Sequence, residues 1–326
     1  MLEQETDGFD VATRCSLCGS GNIRPLVVRP DGEPVHECAC CGFAFLTRRP
    51  KAGALAAVYD KGYFEASDTY EHYFEYAEAV SDLNYCPRMR RMESVIDDWQ
   101  GKRVLEIGCA AGATLVVLRR RGAEVTGIEI SEAACRVGLE KFGLEILNQP
   151  TEDAVFQPNS FDVVLMFDVL EHLVDPSAAF ERATQALVPG GYLALSVPNF
   201  DLFDKEGLAW PGIQSYREHL NYFRERALTA WLEAHGFRVV DMHTYTAGLS
   251  RGGKPTRHPW RRLRQRLRRA FPVLGWPMRH EVADGAPAFI AHGAGQLVAL
   301  IHAVADGEEP LVGLPGGAAD GTQGRR

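Results

Sequence analysis

From Lys102 onward short apolar runs alternate with helix-length amphipathic segments, and this alternation constrains the fold more than any other feature of the chain. The runs are Arg103–Ile107, Glu124–Ile130, Leu144–Leu147, Phe161–Phe167, Tyr192–Val197, Phe237–Tyr245 and Gln296–Val304. Between them Ala113–Arg121, Glu132–Phe142, Pro176–Leu187 and Glu225–His235 carry apolar residues at helical spacing, and Gly236 ends the last of these. Repeated strand–helix alternation calls for an α/β fold with a doubly wound, mainly parallel sheet of seven strands. Such a sheet binds ligands at the carboxyl ends of its strands.

The first strand runs into VLEIGCAAGATL, residues 104–115, which puts Glu106 at the strand end and Gly108 and Gly112 in the turn before a helix. A dinucleotide fingerprint would need glycine at 108, 110 and 113, and here those positions are Gly108, Ala110 and Ala113. That weakens a nicotinamide or flavin reading. Glu129 ends the second strand, and a carboxylate there can accept two hydrogen bonds at once.

Eight cysteines in a chain without a secretory signal do not make a disulfide scaffold, and four of them form a pattern. Cys15 and Cys18 are two residues apart, as are Cys38 and Cys41, and each pair is followed by a glycine, Gly19 or Gly42. The spacing is that of a four-thiolate zinc ribbon: a closed tetrahedral Zn²⁺ site, structural rather than catalytic. Cys40 leaves the second pair ambiguous by one position. Cys86, Cys109 and Cys135 show no pattern among themselves and read as small core or pocket residues.

The acidic-x-G-x-x-x-G turn, the acid at Glu129, and the segments FDVVLMFDVLEHLVDP (161–176) and LVPGGYLALSVPN (187–199) follow one another in a fixed order. In that order they resemble class I S-adenosylmethionine-dependent methyltransferases over residues from about 100 to 304. The resemblance implies that the cofactor lies against Glu106, Gly108, Cys109, Ala110 and Gly112, with its ribose at Glu129 beside Ile130. It implies an adenine site near Thr151 and Glu152, and contact with Phe167 at the end of the fourth strand. In the family the position of Ala110 is usually glycine, and the acid expected after the third strand falls on Pro150.

Methyl transfer from a sulfonium is an in-line displacement, so the protein must align a nucleophile and, where needed, take its proton. Histidine has the suitable pKa. His172 follows the fourth strand beside Glu171, and His219 follows the fifth beside Glu218. Either can instead be a structural histidine that fixes a loop. The Tyr216-x-Glu218-His219 arrangement, with an amino-terminal zinc module and an aromatic segment before the sheet, is similar to sugar C-methyltransferases acting on nucleotide-linked keto-deoxysugars. That resemblance implies His219 as the base, Glu218 as its orienting group and Tyr216 near the substrate. Those enzymes carry a further carboxyl-terminal domain, whereas a final hairpin and a tail are expected here after His235. The shorter zinc-ribbon methyltransferases it also resembles serve secondary-metabolite and surface-polysaccharide pathways, which leaves the acceptor a small molecule or glycan, nucleotide-linked or lipid-linked, and the accepting atom open.

Between Tyr59 and Tyr76, seven of eighteen residues are aromatic, read either as a helical hairpin burying its rings or as a lid over a cleft. Residues 251–280 hold ten basic residues and no acid, so removing them from the net charge of −8 leaves −18. Trp260, Leu263, Leu267, Phe271 and Leu274 recur there at helical spacing. A helix packed on the sheet, a helix on an anionic membrane surface, and an anion-binding wall for a diphosphate or nucleic acid all fit this pattern. The acidic body argues against broad nucleic-acid binding. The non-enzyme alternative is a zinc-ribbon protein binding nucleic acid through 251–280, and a nucleic-acid methyltransferase is the intermediate case. Four acids in the first ten residues exclude a secretory signal, and the expected address is cytoplasmic, with the basic segment able to touch a membrane surface. The expected organisation is a zinc ribbon over 1–50, an aromatic helical segment over 51–100, the cofactor-binding domain over 101–306 with its basic insertion, and a disordered tail over 307–326.

Overall fold

A computed structural model of the chain describes residues 8–51, 59, 77–78, 80–81, 89–214, 218–245 and 296–303. The aromatic stretch apart from Tyr59, Cys86, Tyr216, the basic segment 251–280 and the tail all lie outside the described residues, and so do the expectations attached to them.

The central sheet has seven strands. Its strands are β6 (Arg103–Ile107), β7 (Glu124–Glu129), β8 (Ile146–Asn148), β9 (Phe161–Phe167), β10 (Leu187–Pro198), β12 (Phe237–Tyr245) and β13 (Gln296–Ala303). Across the sheet they run β12-β13-β10-β9-β6-β7-β8. Neighbours from β8 through β10 pair in parallel, whereas β13 is antiparallel to both β10 and β12. The chain builds outward from β6 to β8 and then restarts on the other side of β6 with β9, so the switch point opens between β6 and β9. Ligands bind at such a crevice.

Four helices of eight residues or more lie among the described residues: α1 (Ala113–Arg120), α2 (Glu132–Phe142), α3 (Pro176–Ala186) and α4 (Glu225–Ala234). Ser131 Oγ accepts from Ala134 N to start α2, and Asp175 accepts from Ser177 N and Ala178 N to start α3, whose first residue is Pro176. Four strands differ from the expected bounds, β7 and β13 only by ending one residue early, at Glu129 and Ala303. β8 begins at Ile146 because the Leu144 amide instead bonds to Gly138 O and closes the end of α2. β10 begins at Leu187, which pairs with Phe161 before a bulge through Gly190 restores register at Tyr192.

The amino-terminal part shares a sheet and an apolar core with the rest of the chain. β2 (Ile23–Val28), β3 (Pro34–Cys38) and β4 (Ala44–Leu46) form an antiparallel sheet, and its fourth strand, β11 (Asn221–Tyr222), comes from the domain that carries the central sheet. Beside it β1 (Phe9–Val11) pairs with β5 (Arg48–Pro50). Phe43 and Phe45 are fully buried, and Phe43 packs its ring on Phe223 at a centroid distance of 5.0 Å. Cys15, Leu17, Cys38, Phe43 and Phe45 share one apolar core with Ile107, Val164 and Leu195 of the central sheet. Among the described residues no helix is long and apolar enough to cross a membrane.

Candidate functional site

Four elements meet at the carboxyl edge of the sheet. The turn after β6 places Gly108 at φ 68°, and a Cβ added there would stand 2.6 Å from Val169 Cγ2. Gly108 is therefore required by the close packing of the loop after β9, as well as by its left-handed backbone. Gly112 has φ 76°, and its added Cβ would meet Leu144 Cδ1 at 2.4 Å. Ala110, at the family's usual glycine position, takes the same left-handed region at φ 47°.

Glu129 holds this turn. One carboxylate oxygen accepts from Ala110 N at 2.9 Å and the other from Ser131 N at 2.8 Å, which ties the ends of β6 and β7 together. Burial pushes its carboxyl above the usual range, against the pull of those amides and of Ile130 N. Glu106 is 4% exposed, and Cys109 sits near both carboxylates; burial first, and then these two charges, push its thiol well up. Two buried carboxylates flanking a glycine turn suit a ligand that offers hydroxyl and ammonium donors, which is the chemistry of the ribose and methionine parts of S-adenosylmethionine. Asn148 also serves this end of the sheet, donating to Glu129 O and Ile130 O, each at 3.0 Å. Thr151 begins a short helical turn just beyond, Thr151–Asp153, whose backbone includes Glu152. Phe167 is buried at the end of β9, and the next residue, Asp168, has φ 56° and accepts from Ser196 Oγ at 2.8 Å. Asp168 escaped the sequence reading, although a non-glycine residue forced into that region at a strand end marks a functional turn.

The two histidines are brought together. Their rings lie 5.0 Å apart between centroids, with Glu171, only 1% exposed, beside them. Glu171 Oε1 is 3.8 Å from His172 Nε2, and Tyr59 meets the His172 ring edge-on. His219 Nδ1 lies 2.8 Å from Gly212 O, and His172 Nδ1 lies 3.2 Å from Glu218 O. A carbonyl only accepts, so Nδ1 of each ring is the donor in these bonds. Glu218 thus meets His172 through its backbone carbonyl, and the group that accepts from His219 Nδ1 is the Gly212 carbonyl.

The loop bearing His219 is fixed from the amino-terminal sheet. Leu220 N and Asn221 N both donate to Glu171 O, and Asn221 Nδ2 donates to Leu170 O and Leu173 O. Arg29 donates to His219 O and to the Tyr222 hydroxyl, each at 3.1 Å. Arg49 donates to Leu173 O, Val174 O and Asn221 Oδ1, and burial pushes its guanidinium down to about 10. Buried arginines that hold a loop carry no periodic signal, and the sequence reading missed both.

In the same sheet the four thiols of Cys15, Cys18, Cys38 and Cys41 converge within 4.8 Å of one another. Sγ separations of 3.6 Å (Cys15–Cys41) and 3.5 Å (Cys18–Cys38) lie near the roughly 3.8 Å expected around a tetrahedral ion with bonds of about 2.3 Å. Cys40 is exposed and outside the cluster, which resolves its ambiguity in favour of Cys41. The amides of Cys40 and Cys41 face the Cys38 sulfur, and the Ser20 amide faces that of Cys18. Gly19 and Gly42, both left-handed, turn the backbone to allow this while their own amides bond to Cys15 O and Cys38 O.

Residues 79–242, half of the chain, match the family model described as a methyltransferase domain. The chain is 32% identical over 155 residues to a ubiquinone biosynthesis O-methyltransferase of Stutzerimonas stutzeri, covering 44% of this chain and 67% of that protein. It is 34% identical over 119 residues to the protein of the same name from Idiomarina loihiensis, covering 34% of this chain and 49% of that one. A solved S-adenosylmethionine dependent methyltransferase from Mesorhizobium loti aligns with a TM-score of 0.43 at 14% identity, over 68% of this chain and 99% of that chain.

Proposed function

The chain belongs to the methyltransferase-domain family as an S-adenosylmethionine-dependent methyltransferase, and from that membership we propose that it methylates a hydroxyl oxygen of a small organic acceptor held at Glu171, His172 and His219. The observation that carries this reading is the pairing of both Nδ1 atoms with carbonyls, which fixes two neighbouring imidazoles beside the buried Glu171. The O-methyltransferase relatives support oxygen as the accepting atom.

Bound S-adenosylmethionine supplies a methyl group on a positively charged sulfur. Glu129 and Glu106 would hold it, with Gly108, Cys109, Ala110 and Gly112 forming the wall, Ile130, Thr151 and Glu152 toward the adenine, and Phe167 beneath. His219, through Nε2, takes the acceptor's proton as the new O–CH₃ bond forms, while the electron pair of the breaking S–CH₃ bond stays on sulfur. His172 and the buried Glu171 shape the pocket around that nitrogen, and Glu218 reaches it through the backbone carbonyl that His172 meets. Cys15, Cys18, Cys38 and Cys41 hold a structural Zn²⁺ that keeps the amino-terminal sheet in register under the His219 loop.

The experiment is turnover on a panel of phenolic and catecholic hydroxyls alongside nucleotide-linked keto-sugars, read as S-adenosylhomocysteine release and product mass. A methyl ether product supports the reading. A product methylated only on carbon overturns the oxygen assignment.

A further inference from the structure

We infer that Arg49 is a positioning residue for methyl transfer: reaching over from the amino-terminal sheet, it sets the turn that carries Glu171 and His172. The inference rests on the reading above, which places the acceptor at Glu171, His172 and His219. Arg49 acts through the backbone of that turn and through one buried amide.

The turn runs from Leu170 to Val174. Leu170 O and Leu173 O each accept from Asn221 Nδ2 at 2.8 Å. Glu171 O accepts from Leu220 N at 2.8 Å and from Asn221 N at 3.0 Å. Arg49 closes the set through Nη1, donating to Leu173 O at 3.2 Å and to Val174 O at 2.9 Å. Its Nη2 donates to Asn221 Oδ1 at 2.7 Å. A guanidinium only donates, so the Asn221 atom facing it is the oxygen, and both Nδ2 hydrogens are left for the turn. Arg49 therefore orients the amide that holds Leu170 and Leu173, besides holding Leu173 and Val174 itself.

The burial of this cation marks the arrangement as more than packing. Arg49 is 5% exposed, and its hydrogen bonds go to two carbonyls and an amide oxygen. Taking a cation out of water is costly, and an apolar side chain of similar volume often replaces a buried charge without loss of stability. The position uses the planar fork, which meets three oxygens from two separate segments on one rigid plane. The fully buried Phe45 ring lies 5.5 Å from the guanidinium carbon, and Phe45 pairs with Asn221 across β4 and β11. The strand beside Arg49 thus also fixes the register of Asn221. His172 depends on the result: its N donates to Val169 O at 3.0 Å to close the turn, and its Nδ1 donates to Glu218 O at 3.2 Å. A slip of the turn by about 1 Å breaks the second bond and swings the imidazole, and misplacement of that size costs about a hundredfold in rate.

The test compares wild type with Arg49→Met and Arg49→Lys in the full-length chain carrying isotope-labelled histidine. Nuclear magnetic resonance follows two ring protons: Nδ1–H of His172, and Nδ1–H of His235, which donates to Trp231 O at 2.7 Å at the end of α4 and serves as the control. His172→Gln and His235→Gln assign the two signals. In Arg49→Met the His172 proton should exchange with water at least about tenfold faster, while that of His235 keeps its wild-type rate. Acceptor kcat/KM should fall by about tenfold to a hundredfold, and calorimetric affinity for S-adenosylhomocysteine should not change. Arg49→Lys keeps the charge but brings one ammonium to three oxygens, so it should show the same pattern to a smaller degree. Wild-type exchange at His172 in both variants, or in Arg49→Lys alone if Arg49→Met does not fold, overturns the inference. Faster exchange at His172 and His235 alike, with weaker S-adenosylhomocysteine binding, also overturns it, since that is loss of fold rather than of position. Unmoved His172 exchange with turnover still dependent on His219 removes this inference alone, whereas faster His172 exchange with unchanged acceptor kcat/KM keeps Arg49 as the support of the turn and removes the reading of the cluster as the acceptor site.

Discussion

Arg29, in the turn after β2, donates a hydrogen bond of 3.1 Å to the backbone carbonyl of His219, 190 positions further along the chain. Its side chain is 1% exposed, and it also donates to Tyr222 and Asp31. The amino-terminal sheet therefore forms the floor of the His219 loop.

Arg29→Ala leaves the buried His219 carbonyl and Tyr222 phenol short of a donor and takes the partner from the exposed Asp31, and losing hydrogen bonds to a charged group costs about 1.5–3 kcal/mol. Stability measured by urea unfolding should fall by about that amount. The turnover rate should fall by about tenfold or more, while S-adenosylhomocysteine affinity stays the same, because Arg29 touches the His219 loop and not the glycine turn. Arg29→Lys should recover only part of the rate, since an ammonium cannot reach all three partners at the angles of a planar fork.

Removing zinc should act through the same sheet. Cys38→Ser is expected to release the ion, lower the melting temperature and depress turnover, because β4 carries both the ribbon core and the pairing with β11. Metal content by mass spectrometry of the intact protein checks the release. An unchanged rate in the zinc-free protein would separate the ribbon from catalysis.

Ala110 is the one residue of the cofactor turn that pays for a left-handed backbone with a Cβ, at φ 47°. A non-glycine residue in that region costs about 1–2 kcal/mol, partly offset by about 0.5–1 kcal/mol of unfolded-state entropy when glycine replaces it. Ala110→Gly should therefore raise stability by roughly 0.5–1 kcal/mol. Gly108→Ala, which adds a Cβ 2.6 Å from Val169, should do the opposite and weaken cofactor binding.

Acid should weaken the grip of Arg29. Burial pushes the Asp31 carboxyl up, but the Arg29 guanidinium more than offsets it and holds the group below its ordinary value of 3.8. A carboxyl lowered in the folded state contributes stability above 3.8 that is lost as pH falls through the lower folded value. Unfolding free energies from pH 6 down to about pH 3 should therefore decline more steeply for wild type than for Asp31→Asn. Parallel curves would show that the pair contributes nothing.

The sheet was legible in the sequence wherever burial imposes a period. β6, β9, β12 and α2 take the bounds that alternation and caps alone predict. The site was legible where chemistry needs a particular residue at a particular spacing, as at Glu129 and the two cysteine pairs. The coupling between the two sheets was not. β11 is two residues long, and a strand that short becomes one only by pairing with β4. Arg29, Arg49 and Asn221 read as ordinary surface residues in sequence, because their burial is created by segments that meet only in three dimensions. Asp168 was visible in its motif, but its backbone geometry was not.

The most direct measurement is turnover by wild type and His219→Ala under saturating S-adenosylmethionine with an acceptor that yields a methyl ether. The account predicts that the variant loses about a hundredfold or more in rate while binding S-adenosylhomocysteine as tightly as wild type. A variant that turns over at the wild-type rate would contradict it.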